Sequence, residues 1–509
     1  MNVIFEAINS FFDFIVPIAD FLWEFPTNFE WYASIPVLGN FALAVILLLG
    51  TGIYLTFKTG FIQVIAFKKG IKILATKKES DTGISPLASF LLSSAMRVGP
   101  GNIMGVTGAI SVGGPGALFW MWVSAFFGMS TAFVESTLAQ LFKEKNEKEY
   151  VGGLPFYGQK ILGNKRWVGV ILSSFFIIYA LFVIPSQAFH LFTSFGSIAD
   201  TVTGKTFGRE SAVYYGIAIV MIIAVLLTVI GGIKRVTAVT DVLVPIMAVI
   251  YTIIIFLIIL VNLDKVPYFF KEVFGGAFKP NALFGGAFGV ALAQGIKRGL
   301  MSNEAGQGTI TMAAATAEND HPAEQGFVQA LGVFLDTMVI CSMTGFLIVM
   351  AHVWTGDSGV AWETIKASKL TVYLSSVEYL VPGTAIDGIV TIVVSLCYGI
   401  FAFTTLLGLI LFAEVSANLI SRSKKFIMGI RLVGALFFVP FGALTVLAGL
   451  ELKNLWYIGD FVNIVLVYVN VPIILIGSGI ACKALKDYKR NSGEKFKSKS
   501  IGVNSDFWK

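Results

Sequence analysis

Charge is what this chain has least of. Of its 509 residues only 13% are Asp, Glu, Lys or Arg, about half of the roughly 25% found in soluble domains. Hydrophobic residues make up 56%, and mean hydropathy is +0.80. That balance excludes a soluble enzyme and describes a polytopic membrane protein. Its three cysteines, Cys341, Cys397 and Cys482, are scattered without metal-ligand spacing and read as small apolar filler. No GxxxxGK[ST], zinc-ligand cluster or Ser-His-Asp arrangement occurs, which argues against an ATP-driven pump and an intramembrane hydrolase. No repeated filter loop marks a channel. Residues 1–35 hold no Lys or Arg, so no cleavable signal peptide is expected.

What the chain does have is apolar runs of membrane length. A span takes about 20 mostly apolar residues, and eleven segments qualify: 36–57, 85–112, 115–142, 167–195, 211–231, 241–262, 283–316, 325–353, 384–415, 428–449 and 459–485. The basic residues orient them. Loops 58–84, 143–166, 234–235 and 422–425 and the tail after 482 together carry 25 Lys and Arg, against eight on the other side and four within spans. The positive-inside rule then puts the N-terminus outside and the C-terminus in the cytoplasm, so the net charge of +6 reports topology and not nucleic-acid binding. Glu6, Asp13, Asp20 and Glu24 share one helical face and predict an interfacial helix on the outer surface. The expected organisation is an N-terminal segment 1–35, an extra span with its basic loop 36–84, a five-span unit 85–262, a connector 263–282, a second five-span unit 283–485 and a basic tail 486–509. An odd-numbered unit returns upside down, so the two units would be inverted repeats.

Each unit opens on a Gly-rich interruption, and the interruptions match. Arg97-Val98-Gly99-Pro100-Gly101-Asn102-Ile103-Met104-Gly105 and Arg298-Gly299-Leu300-Met301-Ser302-Asn303-Glu304-Ala305-Gly306 both have Asn five residues after the Arg and Gly eight after it. In both, a lone acid follows 38 residues after the Arg, at Glu135 and Asp336. In lipid every backbone N–H and C=O needs a partner, so a helix breaks only where protein or a polar cavity surrounds it. Paired broken helices are the best sequence pointer to a transporter's binding site. Exposed N–H ends suit a carboxylate and exposed carbonyls suit a small cation. Gly99 and Gly101 allow close approach to a ligand, Pro100 removes an N–H, and Asn102 offers an oxygen and two donors.

Other polar residues inside the spans keep two readings each. Glu135 and Asp336 either neutralise Arg298, Arg97 or one another, or relay protons. Glu304 and Glu414 read as residues near helix ends. His190, within span 167–195, is either a satisfied core residue or a proton carrier. Thr404 and Thr405 either back-bond to their own helix or coordinate an ion.

These strings resemble the alanine or glycine:cation symporter family. The resemblance is carried by Arg97–Gly105, by Gly113-Gly114-Pro115-Gly116-Ala117-Leu118-Phe119-Trp120-Met121-Trp122, by Lys297–Gly306, by His321-Pro322, Gln325-Gly326 and Leu331–Thr337, and by Phe401-Ala402-Phe403-Thr404-Thr405-Leu406-Leu407-Gly408. Val98–Asn102 also resembles the unwound segment of neurotransmitter:sodium symporters. The resemblance implies a leucine-transporter-like five-plus-five inverted repeat with one extra N-terminal helix. It implies import of a small neutral amino acid with Na⁺, some family members using H⁺, across the plasma membrane, with no further cofactor, no nucleic acid and no obligate protein partner. Residue by residue it places substrate on Gly101, Asn102, Gly128, Gln187, Met301, Thr405, Leu406 and Leu409. Sodium would fall on the carbonyls of Ala95 and Val98 and the hydroxyls of Thr404 and Thr405. The chain departs from the family at Pro100, where Thr is usual, at Leu409, where Trp is usual, at Phe189-His190, where Asn-Ser is usual, and at Gln307, where Met is common. Without a Trp the pocket loses a large steric stop, which admits serine or glutamine beside alanine or glycine. Proton-coupled symport and a non-transporting receptor or channel are the rival readings.

Overall fold

The computed structural model describes residues 7, 10–35, 38–76, 83–146, 149–208, 211–278, 289–352, 369–381, 383–447, 453–491 and 495–509. Glu6 of the expected N-terminal face lies outside them. The described chain is helical apart from one short antiparallel hairpin, β1 (Glu144–Asn146) and β2 (Glu149–Val151), and a single parallel bridge between Ile84 and Ala317. The N-terminal helix α1 (Ile15–Glu24) keeps Asp13 and Glu24 exposed and buries Trp23. α2 (Leu43–Thr59) turns by 75° into α3 (Ile62–Ala75). The first broken segment is α4 (Pro86–Arg97) and α5 (Val106–Gly113), followed by α6 (Gly116–Leu141) and the short α7 (Leu154–Ile161). Then come α8 (Arg166–Thr203), α9 (Ala212–Ile230), α10 (Gly232–Val261) and α11 (Val266–Phe278). The second broken segment is α12 (Gly289–Asn303) and α13 (Thr311–Thr316). α14 (Pro322–Val333) passes through a wide π-type turn at Phe334–Cys341 into α15 (Ser342–Met350). The chain ends with α16 (Lys369–Leu380), α17 (Thr384–Ile420), α18 (Lys424–Val433), α19 (Val439–Leu447) and α20 (Lys453–Arg490).

Among the described residues eight helices are long and apolar enough to cross a membrane, or nine with the bent pair α2 and α3. The broken segments fall outside that count because each half is too short to cross alone. The starts of α4 and α14 are built alike. Ser85 Oγ accepts from the Ala88 N–H at 3.0 Å ahead of Pro86, and His321 Nδ1 accepts from the Ala323 N–H at 3.0 Å ahead of Pro322. In both cases the side chain satisfies a donor that the helix leaves orphaned, and proline fills the first position, where no N–H is needed. The centre is the pair α8 and α17, 38 and 37 residues long, packed along one another. Small residues let them approach: Ser173 donates to the Ser416 carbonyl and Ser194 to the Ser395 carbonyl.

Two connecting segments hold structure that hydropathy does not announce. α11, in the expected connector, lies on α6, with Trp120 Nε1 donating to the Ala277 carbonyl at 3.1 Å. The expected basic tail ends in a packed strap. Trp508 is 2% exposed, and its indole N–H donates to the Gln140 carbonyl at 2.8 Å. Ser505 reaches the Leu141 carbonyl at 2.6 Å, and Lys160 pairs with Asp506 at 2.8 Å. Lys143, buried beside it, donates to the Ala317 carbonyl at 2.6 Å and lies 4.2 and 4.4 Å from the centroids of the Tyr150 and Phe507 rings. Under the strap, burial pushes the His321 imidazole below its ordinary value, against the pull of Asp487 3.4 Å away. Trp508→Ala should cost about 3 kcal/mol and release the strap. Limited proteolysis at Lys497 and Lys499 is then expected to run about 100 times faster; unchanged cleavage would show that the indole anchors nothing.

Candidate functional site

The first break follows from its residues. Val98 leaves α4 at ψ 83°, Gly99 and Pro100 carry the chain across, and a wide π-type turn resumes over Gly101–Gly105. Gly99 is favoured by proximity: a Cβ there would lie 2.6 Å from Thr405 Oγ1 on α17, so a side chain would have to displace that hydroxyl. The second break is looser. After α12 ends at Asn303, Glu304 (φ 58°), Gly306 (φ 93°) and Gly308 (φ 82°) take left-handed backbone before α13 begins. Glycine adopts that region freely, whereas Glu304 does so at a steric cost. Thr309 Oγ1 donates to its carboxylate at 2.8 Å.

Side chains tie the breaks together. Arg97 Nε donates to the Asn303 carbonyl at 3.1 Å and its Nη1 to Gln329 Oε1 at 2.9 Å. Asn102 Oδ1 accepts from the Gly99 N–H at 2.8 Å, while its Nδ2 donates to Asp336 at 2.6 Å and Ser302 at 3.1 Å. Asp336 accepts also from Ser302 and Thr337, at 2.7 and 2.8 Å. Glu135 accepts from the Gly306 N–H at 3.2 Å and from Asn470 Nδ2 at 3.0 Å. The two acids are thus held by neutral donors rather than by direct ion pairs with Arg97 and Arg298. Glu414, near the end of α17 as expected, forms a bidentate pair with Arg431 at 2.5 and 2.7 Å.

Between the breaks lies a cavity of about 300 Å³. The structure brings five of the expected substrate residues to its wall: Gly101, Gln187, Met301, Thr405 and Leu409. Gly101 stands where a helix restarts; the N–H groups that follow it already have acceptors, that of Asn102 the Gly99 carbonyl at 3.0 Å and those of Ile103 and Met104 the Pro100 carbonyl at 3.2 and 2.8 Å. Three others are placed elsewhere. Asn102 is 0% exposed and its side chain is spent on the struts just described. Leu406 packs in the core at 0% exposure. Gly128 faces second-break residues, with Ala305 Cβ 3.2 Å from where its own Cβ would be. Of the expected sodium residues, Thr405 Oγ1 and the Ala95 carbonyl are 3.0 Å apart, next to Gly99. Val98 is the buried residue at which α4 opens. Both threonines back-bond to their own helix, Thr405 to Phe401 at 2.8 Å and Thr404 to Ile400 and Phe401, but Thr404 turns toward Met247 of α10. Neighbours on a helix point about 100° apart, so only one of the two threonines can face the break.

Sequence reasoning missed the cavity's third wall. Tyr179 and Ser186 come from α8, and Tyr457, Asp460 and Asn463 from α20. The i, i+3 spacing of the last three in an otherwise apolar span was the available signal. Lys297 closes this side, 3.1 Å from Asp460 and 4.8 Å from the Trp23 ring centroid, while Trp23 Nε1 donates to the Asp460 carbonyl at 3.0 Å.

A model of the sodium:alanine symporter family matches residues 30–501. The amino-acid carrier protein AlsT of Bacillus subtilis is 32% identical over 509 residues, 98% of either chain. The chain belongs to the sodium:alanine symporter family. Two more relatives are the probable sodium/glutamine symporter GlnT of Bacillus subtilis, 34% identical over 88% of both chains, and the sodium/alanine symporter AgcS of Methanococcus maripaludis, 33% identical over 88% of this chain and 95% of that one. Among solved structures, MhsT in complex with L-phenylalanine aligns at TM-score 0.50 and 15% identity, covering 79% of this chain and 100% of that one; the likeness shows a shared fold. As a member of the sodium:alanine symporter family, the protein is a multi-pass membrane transporter and not an enzyme. Cavity and breaks are therefore read as transport machinery.

Proposed function

We propose that this chain imports a small neutral amino acid together with Na⁺ across the plasma membrane, by alternating access around the two breaks. The reading rests above all on both breaks opening onto one cavity, with the Thr405 hydroxyl and the Ala95 carbonyl beside it. The substrate carboxylate meets the Gly101 backbone at the restart of the first broken helix, and its ammonium meets oxygens across the cavity. Na⁺ sits at Ala95, Val98 and Thr405, neutralising exposed carbonyls and holding open the geometry that the substrate needs. Leu409 leaves room for serine or glutamine as well as alanine or glycine, and a relative named as a probable glutamine symporter supports that breadth. The topology proposed with it has eleven spans, one plus two inverted sets of five, with the N-terminus outside and the C-terminus inside. The matched lengths of α8 and α17, each third in its set, support the repeat. Inward movement of one positive charge gains about 2.3 kcal/mol per 100 mV.

Proteoliposomes with Na⁺ and pH gradients imposed separately test this. Labelled alanine, glycine, serine and glutamine should accumulate only with an inward Na⁺ gradient, and the rate should fall at least tenfold when Na⁺ is replaced by choline. Accumulation that survives Na⁺ removal and follows the pH gradient would favour the proton-coupled reading, for which His190 on the cavity wall, hydrogen-bonded through Nδ1 to Tyr398, is the candidate carrier. No accumulation under either gradient would favour a receptor or channel.

A further inference from the structure

The matched acids gain a role from what they hold. Glu135, 38 residues after the first break's Arg, bonds Gly306 in the second break. Asp336, 38 residues after the second break's Arg, bonds Asn102 in the first. Each acid therefore holds the other break. Both are 0% exposed, and a buried carboxylate is stable only where donors converge on it. Three converge on Asp336: Asn102 from the first break, Ser302 from α12 at the edge of the second, and Thr337. On Glu135 they are the Gly306 N–H and Asn470. Asn470 also donates to the Gly306 carbonyl at 2.9 Å and accepts from the Tyr157 hydroxyl at 2.5 Å, so α20 and α7 join the same brace. Asn102 and Asp336 both lie in wide π-type turns, which push a side chain out of the regular helical array.

Resting on the reading of the chain as a Na⁺–amino acid symporter, we infer that Asp336 and Glu135 are positioning residues that couple the two breaks, so that occupation of the ion site in one sets the affinity for substrate between them. Charge-assisted hydrogen bonds fix their donors more firmly than neutral ones do. A shift of Asn102 when Na⁺ binds beside Gly99 passes through Asp336 to Ser302, and a shift of Gly306 passes through Glu135 to α6. The coupling is a ratio, the factor by which saturating Na⁺ lowers the substrate KM, and such factors are typically about 5 to 150.

The test compares the wild type with Asp336→Asn and Glu135→Gln in proteoliposomes, measuring substrate KM at low and at saturating Na⁺. In both variants the Na⁺-induced fall in KM should shrink to less than threefold. Variants that keep the wild-type factor and lose only maximal rate, in step with the amount of folded protein, would overturn the inference. Ser302→Ala removes one donor to Asp336 and leaves its charge; it should shift the factor in the same direction by less, and it stands in if Asp336→Asn does not reach the membrane. Hydrogen exchange separates this idea from the transport reading. Glu135→Gln should speed exchange of amides 304–310 and Asp336→Asn that of amides 99–105, each at least tenfold, whether or not Na⁺ drives uptake. Unchanged exchange sinks the bracing, and a wild type whose uptake ignores Na⁺ sinks the transport reading instead.

Discussion

Asn102→Ala is expected to lower Na⁺-driven uptake at least 100-fold while leaving the protein folded in the membrane. The effect comes from what Asn102 joins, since it does not line the cavity. Its oxygen holds the Gly99 amide, and its Nδ2 holds Asp336 and Ser302. Truncation leaves a buried carboxylate short of a donor, and hydrogen bonds to charged groups contribute about 1.5–3 kcal/mol. The same truncation removes one of the two acceptors of the Gly99 N–H, at the residue that lies closest to Thr405. Losing both beside the proposed ion and substrate site removes on the order of 3 kcal/mol of site geometry, or two decades in rate. Asn102→Asp should fare no better, because it keeps the bond from Gly99 but sets a second carboxylate against Asp336. Initial uptake rates divided by the amount of transporter in the vesicle measure this. A normal rate in either variant would mean that the first break does not need its strut.

The fold was largely legible because lipid makes simple demands. Apolar runs of span length and glycine-rich breaks have few solutions in a bilayer, and the Arg97 and Arg298 spacings marked both breaks before any coordinates. Helix ends were less legible. α8 runs to Thr203 and α17 to Ile420, past their apolar runs, because packing on each other sustains helix where hydropathy fades. α16 and the strap around Trp508 were hidden for a related reason: both are short, lie beside polar or basic residues and take their stability from tertiary contacts. Within the site, composition named the polar residues but not their directions. Thr404 and Thr405 look equivalent on paper, and only the phase of α17 against α4 gives Thr405 to the break. Asn102 shows the same limit, since an Asn at a break suits a ligand or a strut, and the position of Asp336, 234 residues away in sequence, decides between them.

Leu409→Trp should narrow the substrate range proposed for this carrier. Leu409 lies on the cavity wall one helical turn from Thr405 and is 1% exposed, so its side chain meets packed neighbours on one side and the cavity on the other. An indole there has to take its extra volume from a cavity of about 300 Å³, since the tightly packed protein behind it yields little. The volume taken is the part that a side chain longer than a methyl needs. Glutamine uptake is expected to fall at least 100-fold and alanine uptake to stay within threefold, with Leu409→Phe intermediate. This asymmetry separates a specificity residue from a merely structural one, because a packing defect in α17 would lower both substrates together. Competition gives the cleaner readout: unlabelled glutamine should inhibit labelled alanine uptake in the wild type and lose that ability in Leu409→Trp. Inhibition that survives the indole would place the substrate side chain against another wall, and the row formed by Tyr457, Asp460 and Asn463 on α20 is the next surface the cavity offers.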